Sequence, residues 1–444
     1  MMQTAKAPTE GSVAFVARSA RTAARRLAQL SADTRNKVLL AAAAAIEENS
    51  RAILAANSLD CESAKQAVAS GTMSPAMFAR LQINERGIAQ MAKQVREVAA
   101  LPDPLGRLLE ATELDEGLVL HKETCPLGVI GIIFEARPEV VPQVASLALK
   151  SGNAVVLKGG SEAANSNEAL VSVWRECLRR YPDVPEDSLS LLQTRADVLE
   201  LLALDRDVDL IIPRGSRSLV EFVAENSRIP VLGHGEGICH VYVDRAADIQ
   251  KAVAVVYDAK VQGPAICNAA ETLLVHEEIA PHFLPLAAAK LKQAGVEIRG
   301  CPSTVALLSK EQIVPATEED WATEYSDLIL SVKVVPSLEK AIDHINRYGS
   351  RHTESIVTED ASAAAELMNE VDAAGVYQNA STRFADGYRY GFGAELGVSN
   401  SKLHARGPMG LEGLTTYKFK LYGNGHIVAD YVTGAKHFKH RKLG

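Results

Sequence analysis

The first hundred residues show a helical spacing of apolar and polar positions. From about residue 13 to residue 101 the chain is rich in alanine and poor in β-branched residues, and its apolar positions recur with the period of an α-helix. This pattern predicts an all-helical N-terminal segment.

Two later stretches alternate with a period of two. Residues 112–128 alternate around an acidic turn at 115–117, and residues 417–432 alternate around a glycine-rich turn at 423–425. Such alternation on both sides of a short turn predicts a β-hairpin. A hairpin without a sheet of its own is only marginally stable, so we expect the second one to add strands to another sheet. The basic segment at 437–443 is predicted to be a solvated tail.

Strands and helices alternate between the two predicted hairpins. Short apolar runs separated by helical segments of about 10–15 residues predict a parallel sheet with helices on both faces, and ligands of such sheets bind at the carboxyl ends of the strands. A second α/β pattern follows from about residue 262 to residue 414. The strands predicted for the first sheet are 128–134, 153–160, 188–192 and 209–216, and its helices are 139–150, 168–180, 196–204 and 219–226.

Composition narrows the class of protein. A chain of 444 residues is expected to form two or three domains, and 47% apolar with 23% charged residues is typical of a soluble globular protein. The net charge of −8 argues against nucleic acid or an acidic membrane surface as the main partner. No apolar run approaches the roughly 20 residues of a membrane span, and the first 15 residues lack the pattern of a signal peptide. We therefore expect a cytoplasmic location.

The cysteines and histidines do not group as metal ligands. The closest two of the six cysteines, Cys239 and Cys267, are 28 positions apart, and the 11 histidines form no H-E-x-x-H pattern. Scattered cysteines in such a chain indicate reduced thiols. No metal site is predicted.

Cys267 is the main candidate for chemistry. It lies between a Gly-Pro turn at 263–264 and an apolar strand-like run at 272–275. A cysteine at the end of a loop can point its sulfur into a cleft, where the thiolate can attack an acyl carbon or an aldehyde. The same stretch also fits a buried cysteine that acts as a small apolar side chain. The stretch alone leaves both interpretations open.

Several segments resemble one known superfamily in content and in order. They include CPLGVIGIIFEARPEV (125–140), VLKGGSEA (156–163), DLIIPRGS (209–216), VLGHGEGICHVYVD (231–244) and CNAAETLLVH (267–276). The most specific segment, which we call the signature segment, is 335–356, with NASTRFADG (379–387) and ARGPMGLEGLTTYK (405–418) after it. From about residue 13 to residue 431 the chain resembles the aldehyde dehydrogenase superfamily and, within it, the glutamyl phosphate reductases. The matching signature residues are Val335, Ala341, His344, Ile345, Tyr348, Gly349, Ser350, His352, Thr353 and Glu354.

The resemblance implies an α/β fold of the aldehyde dehydrogenase type, with two doubly wound parallel-sheet domains and a small β-hairpin oligomerisation element. It implies a cofactor-binding domain at 1–107 and 125–259 and a catalytic domain at 260–414. The hairpins are 108–124 and 415–433, and 434–444 is the tail. Because such hairpins pair across subunits in the superfamily, a homo-oligomer, dimer or tetramer, is implied.

The implied activity is NADPH-dependent reduction of L-glutamyl 5-phosphate to L-glutamate 5-semialdehyde and phosphate, in L-proline biosynthesis. Cys267 would be the nucleophile and its backbone N–H an oxyanion donor. Val231 stands where hydrolytic relatives carry a general-base glutamate, which fits exchange of the acyl group with phosphate. A CoA-acylating or other aldehyde dehydrogenase, and a non-catalytic structural relative, are the alternatives. Transient contact with glutamate 5-kinase, which makes the labile substrate, stays open.

The resemblance also assigns roles to individual residues. Lys158 corresponds to a lysine that holds the adenosine ribose, and Gly159 and Gly160 permit close approach of a ligand. Ser161 replaces a glutamate of NAD-preferring relatives, which favours a 2′-phosphate, although Glu162 lies next to it. The remaining cofactor residues would be Glu324 at the nicotinamide ribose, and Pro213, Arg214, Gly215 and Ser216 at the pyrophosphate.

Substrate contacts are predicted in two loops. Arg137 lies where relatives supply an oxyanion asparagine, so it would contact the anionic substrate or pin its own loop. Asn268, which is assigned to the catalytic site together with Cys267, would support the catalytic loop or be a turn residue. The other loop is suited to the carboxylate, ammonium and phosphate groups of the substrate through Asn379, Ser381, Thr382 and Arg383.

Overall fold

The computed structural model describes residues 9, 11–233 and 235–443. The chain divides into two compact units, the first formed by Met1–Leu232 with Gly410–Gly444 and the second by Gly233–Met409. The sequence placed this boundary at residues 259–260, which differs from the structure. The segment from 233 to 259 belongs to the second unit because its strand pairs in the middle of that unit's sheet.

The N-terminal segment is helical, as predicted. Its first helix buries Ala17, Ala20, Ala24 and Leu27 at helical spacing, and the Ser12 side chain caps it by accepting a hydrogen bond from the Phe15 N–H. The helices are α1 (Val13–Leu27), α2 (Ala32–Glu48), α3 (Ser50–Ala69), α4 (Pro75–Leu81) and α5 (Glu85–Ala100).

The first predicted hairpin is confirmed and leads into a parallel sheet. Strands β1 (Leu108–Asp115) and β2 (Leu118–Pro126) pair antiparallel. The next strands form a four-stranded parallel sheet in the order β5-β4-β3-β6, and every residue of β3 and β4 is buried, which explains why these strands are apolar throughout. Its elements are β3 (Val129–Phe134), α6 (Val140–Lys150), β4 (Ala154–Gly159), α7 (Ala164–Arg179), β5 (Leu189–Leu191), α8 (Ala196–Leu202), β6 (Leu210–Arg214) and α9 (Arg217–Asn226).

The second unit is built on a seven-stranded parallel sheet in the order β10-β9-β11-β8-β7-β12-β13, with a separate antiparallel pair, β14 and β15. The elements are β7 (Cys239–Val243), α10 (Ile249–Val261), β8 (Ala270–His276), α11 (Ala280–Gln293), β9 (Glu297–Gly300), α12 (Pro302–Leu307), β10 (Val314–Pro315), β11 (Ile329–Val335), α13 (Leu338–Tyr348), β12 (Thr353–Val357), α14 (Ala361–Glu370), β13 (Gly375–Gln378), β14 (Gly397–Ser399) and β15 (Gly407–Met409).

Both faces of this sheet are covered. Val241 and Leu273 belong to one buried cluster together with residues of α10 and α11, such as Phe283. Their neighbours Tyr242 and Leu274 belong to a second cluster with residues of α13 and α14. Adjacent residues of one strand point to opposite faces, so the two clusters confirm the doubly wound arrangement.

The C-terminal hairpin prediction is wrong. Strand β16 (Thr415–Tyr422) pairs antiparallel with β2 along its whole length, and the sequence after the turn forms the short helix α15 (Val428–Val432). The prediction that the segment extends another sheet holds, but with a single strand. The sheet order is β16-β2-β1 followed by β17 (Arg441–Lys442).

The tail residues are exposed, as predicted for a solvated tail, but the segment is not free of contacts. Strand β17 pairs with the open edge of β1, and Arg441 forms an ion pair of 2.8 Å with Glu113. Lys439 lies 3.5 Å from Asp115 at the end of β1. The acidic side chains of β1 attract the basic tail, which the sequence pattern of the tail alone did not reveal. Within the described ranges, no helix is long and apolar enough to cross a membrane.

Candidate active site

Cys267 lies in the turn between the end of α10 and the start of β8, and it is half buried. Strands β7 and β8 are parallel and begin side by side, with Cys239 paired to Ala270. The turn therefore lies at the amino ends of these strands. This position differs from the carboxyl-end rule that parallel sheets generally follow.

The backbone of Gly237 packs closely against the turn that carries Cys267. A Cβ atom added to Gly237 would lie 2.0 Å from the carbonyl oxygen of Cys267 and 2.6 Å from its Cα and carbonyl carbon. These are backbone atoms of the predicted nucleophile itself, so they cannot move aside without moving the thiol. Only glycine fits here.

We therefore expect Gly237→Ala to lower kcat by about 100-fold or more, because displacing a reacting group by about 1 Å costs on that order. Gly235→Ala is the matched control, since a Cβ there meets no atom within 4 Å. Steady-state rates and the thermal unfolding midpoint of both variants test this. Equal activity of the two variants would show that the packing of Gly237 against this turn is not critical for activity.

Arg383 lies within electrostatic reach of Cys267. Its side chain is 4% exposed, and Nε donates to the carbonyl oxygen and to Oε1 of Gln262, both at 3.0 Å. Among the described residues, Nη1 has no hydrogen-bond partner. Burial lowers the pKa of the guanidinium, as does Arg389, while Cys267 acts in the opposite direction. The structure thus brings together the predicted nucleophile and one predicted anion-binding residue.

The neighbours of Arg383 in the predicted substrate loop serve mainly to hold that loop. Asn379 adopts a left-handed backbone (φ +53), and its side-chain amide exchanges two 3.0 Å hydrogen bonds with the backbone of Thr358. Ser381 Oγ accepts from the Arg383 N–H at 3.3 Å, and Thr382 is fully buried. Substrate binding by Asn379, Ser381 and Thr382 stays a prediction.

Asn268 supports the loop, one of the two roles that the sequence left open. Its side chain is 3% exposed, and Nδ2 donates to the carbonyl oxygen of Ala385 at 2.9 Å. The residue after the predicted nucleophile is thereby tied to the loop that carries Arg383. A direct catalytic part for Asn268 stays a prediction.

The signature segment supplies buried polar contacts around the same turn. Ser350 Oγ accepts from the Ile238 N–H at 2.8 Å, next to Gly237. Glu354 Oε2 accepts from the His240 N–H at 2.6 Å and lies 2.9 Å from Nδ1 of the same residue. Burial raises the pKa of Glu354. These residues connect the starts of β7 and β12, so their role in this structure is architectural.

Sequence reasoning missed a buried ion pair that flanks the turn. Lys260 at the end of α10 and Glu271 at the start of β8 are at most 1% exposed and 2.6 Å apart. Burial raises the pKa of Glu271 to about 7, and the negative charge of Glu324 contributes to this rise. Glu271 Oε1 also accepts from the Ser326 N–H at 3.2 Å, so the predicted nicotinamide-ribose residue Glu324 lies in a loop tied to β8. The sequence signal that could have revealed this ion pair was the presence of charged residues inside otherwise apolar elements.

In the first unit, Lys158 is the last residue but one of β4. Its side chain is buried, and its ammonium donates to the carbonyl oxygen of Gly159. Burial lowers the pKa of Lys158, while Glu162 and Asp197 oppose this change. Gly159 is packed tightly, because a Cβ there would lie 2.1 Å from Nδ2 of Asn167.

The structure shows where the Glu162 side chain points, which the sequence left open. Its Oε1 accepts from the Ala136 N–H at 2.6 Å and would lie 2.0 Å from a Cβ at Gly160. Ser161, in contrast, is exposed at the start of a short 3₁₀ helix. The carboxylate of Glu162, the residue next to Ser161, is thus bound to the backbone.

The predicted pyrophosphate residues surround the start of α9. Pro213 and Arg214 end β6, Gly215 follows, and Ser216 is the N-cap residue, without a side-chain cap from the described residues. Helix N–H groups left without a side-chain cap suit an anion. Glu135 approaches the same end, where its Oε2 accepts from the Ser216 N–H at 2.7 Å.

Arg137 lies two residues beyond Glu135, in the first unit, half buried. Its positive charge adds to burial in lowering the pKa of Arg80 and opposes the burial that raises the pKa of Glu139. Arg137 therefore has neighbours of both signs, and the choice between substrate contact and loop pinning stays a prediction.

The parts fit a dinucleotide and a thiol nucleophile. The first unit combines a buried lysine near a strand end with a helix N-terminus that has no side-chain cap from the described residues. In the second unit, a half-buried thiol lies within electrostatic reach of a buried guanidinium. A family model described as the aldehyde dehydrogenase family matches residues 1–313. The chain belongs to the aldehyde dehydrogenase family, whose fold it has and whose members use nicotinamide cofactors.

More particular relatives cover nearly the whole chain. The gamma-glutamyl phosphate reductase of Synechococcus sp. (strain JA-3-3Ab) is 56% identical over 424 residues, 95% of this chain and 92% of the relative. That of Natronomonas pharaonis is 51% identical over 426 residues, 96% of each chain. The crystal structure of gamma-glutamyl phosphate reductase from Thermotoga maritima has a TM-score of 0.90 and 44% identity, covering 94% of this chain and 99% of that one. The resemblance found in the sequence is confirmed, and the chain is an oxidoreductase.

Proposed function

We propose that this enzyme reduces L-glutamyl 5-phosphate to L-glutamate 5-semialdehyde and phosphate with NADPH, as a step of L-proline biosynthesis in the cytoplasm. The names of its relatives support this reaction. The observation that carries the proposal is the placement of the Cys267 thiol, seated on Gly237 and beside the buried Arg383 guanidinium. A thiol and a cation together suit an acyl phosphate, which offers an electrophilic carbon and an anionic leaving group.

The Cys267 thiolate attacks the acyl carbon, a C–S bond forms and the C–O bond to phosphate breaks, so phosphate leaves with the electron pair. The backbone N–H of Cys267 stabilises the oxyanion of each tetrahedral state. When bound, a nicotinamide cofactor would supply the hydride that reduces the thioester carbon. The resulting hemithioacetal collapses, the C–S bond breaks, and the thiolate returns as the aldehyde leaves.

Arg383 is proposed to hold an anionic group of the substrate. Its Nη1 has no hydrogen-bond partner among the described residues, and its Nε is anchored by Gln262, so the loop presents a fixed guanidinium. Arg383→Met should raise the KM for the semialdehyde or for phosphate by about tenfold or more, through loss of a charge-assisted hydrogen bond. Both KM values, measured in the oxidative direction, test this. If neither KM value changes, Arg383 only stabilises the loop and does not bind the substrate.

NADPH rather than NADH is proposed because no carboxylate occupies the Ser161 position, and Glu162 is turned to the Ala136 N–H. Lys158 would hold the adenosine ribose, and the start of α9 the pyrophosphate, next to Glu135.

Ser161→Glu should shift the preference from NADPH toward NADH. A carboxylate beside the 2′-phosphate would repel it by about 1–3 kcal/mol, roughly a 5- to 150-fold change in the ratio of the two kcat/KM values. Ser161→Gln is the matched control of similar size without charge. An unchanged ratio in the glutamate variant would show that residue 161 does not face the ribose.

A homo-oligomer, dimer or tetramer, is also proposed. Strand β16 forms one edge of its sheet within the described chain and exposes Tyr417, Phe419 and Leu421, each about half exposed. An exposed apolar edge strand favours pairing with another chain. Light scattering of the intact protein measures the number of chains, and mixing with glutamate 5-kinase in the same measurement tests transient contact.

The proposed function is tested by the identity of the acyl acceptor. With L-glutamate 5-semialdehyde and NADP, phosphate should support NADPH formation, and CoA at the same concentration should not. A preference for CoA would assign the chain to the CoA-acylating aldehyde dehydrogenases instead. Failure with both acceptors, in protein that binds NADPH, would favour a non-catalytic relative.

A further inference from the structure

Cys239, the first residue of β7, is a buried thiol with no part in the reaction described above. It is 0% exposed, and its Sγ lies 3.4 Å from the carbonyl oxygen of Cys267. On its other side the sulfur lies 3.7 Å from Nδ1 of His352, which is 2.9 Å from Oγ1 of Thr353. A buried chain of contacts thus runs from the signature segment to the backbone of the nucleophile.

The chemistry of the contact with Cys267 is defined by its two partners. A carbonyl oxygen only accepts hydrogen bonds, so the thiol of Cys239 must be the donor. Burial raises the pKa of this thiol well above its usual range, and the charge of Glu354 adds to the effect. The thiol therefore keeps its proton at neutral pH and donates S–H to the carbonyl oxygen.

We propose that Cys239 is a positioning residue that fixes the direction of the Cys267 side chain. This inference rests on the proposed role of Cys267 as nucleophile. The Cys267 carbonyl is held by the thiol of Cys239, the Gly237 backbone packs on the same group, and the side chain of Asn268 is bound to Ala385. These three contacts hold the peptide group that follows Cys267. They thereby fix the direction of the Cα–Cβ bond of Cys267.

Cys301 gives a matched control for the loss of a buried thiol. It lies in the same unit and is 8% exposed, and its sulfur contacts Thr304 Oγ1 and the Val334 N–H, both at 3.4 Å. Removing this sulfur also leaves a small cavity and a broken sulfur contact. A general effect of cavity formation would therefore appear in both variants.

The experiment compares Cys239→Ala, Cys239→Ser and Cys301→Ala in the intact enzyme. The readouts are kcat and KM with semialdehyde, NADP and phosphate, and the pH profile of iodoacetamide alkylation of the peptide that contains Cys267. Cys239→Ala should lower kcat by about tenfold or more with KM values within about twofold, since misplacement of a reacting group acts on the chemical step. It should also alter the alkylation profile. Cys239→Ser, which keeps a donor, should recover most of kcat.

The control should lose thermal stability to a similar degree while keeping kcat and the alkylation profile. Equal losses of kcat in Cys239→Ala and Cys301→Ala, or no rescue by serine, would reject the positioning role. If the alanine variant does not fold, Cys239→Val, which fills the volume without a donor, takes its place against the same criteria. An active Cys267→Ser enzyme would reject the proposed role of Cys267 as nucleophile, on which this inference rests, whereas normal Cys239 variants with inactive Cys267→Ser reject only the positioning role.

Discussion

Cys267→Ser is expected to abolish turnover, with a loss of about 10⁴-fold or more, because the nucleophile is removed rather than displaced. The serine hydroxyl has nearly the size of the thiol but stays un-ionised at neutral pH. The turn that carries it is half buried and is seated by backbone contacts to Gly237, which the substitution leaves in place. Fold and NADPH binding should therefore be nearly unchanged. The rate of NADPH formation and the fluorescence of bound NADPH give the two measurements.

Cys301→Ser is the control, since it makes the same chemical change in a buried cysteine of the same unit. It should retain most of the activity. Appreciable turnover by Cys267→Ser would remove Cys267 from the mechanism, and the proposed thioester with it. Loss of NADPH binding together with activity would instead indicate a folding defect.

The oxidative reaction is expected to require inorganic phosphate. The family resemblance implies that Val231 stands where hydrolytic relatives carry a general-base glutamate, and general-base assistance is typically worth about 10²–10⁴-fold in rate. Phosphate needs less help, because it is already an anion at neutral pH and a site for the acyl phosphate would hold it in place. NADPH formation from the semialdehyde and NADP should therefore rise about 100-fold or more as phosphate is added.

Arsenate serves as a second acceptor and sulfate as an inert anion of similar size. Arsenate should replace phosphate, and sulfate should not, which separates acyl transfer from an effect of ionic strength. Steady NADPH formation without phosphate or arsenate would mean that water resolves the thioester readily. The enzyme would then act as a hydrolytic aldehyde dehydrogenase, in spite of Val231.

The sequence by itself determined most of the elements and the family. The helices of the first hundred residues, the first hairpin and the alternation of strands and helices follow from local periodicity, which needs no knowledge of distant residues. The position of Cys267 in a turn before β8 was also readable, because a loop followed by an apolar strand is a local pattern. The family followed from segments in order along the chain.

Tertiary structure alone decided which edges pair and which side chains meet. The alternation of β16 predicted a strand but not its partner, which is the open edge of β2, and the tail pairs with β1 because acidic side chains there attract it. The unit boundary at Gly233 depends on the pairing of β7 with β8 and β12. The contacts of Gly237 and Cys239 with Cys267 join residues about 30 positions apart, and the buried pair Lys260–Glu271 joins a helix to a strand. Such contacts arise from packing in three dimensions, which the periodicity of a segment does not encode.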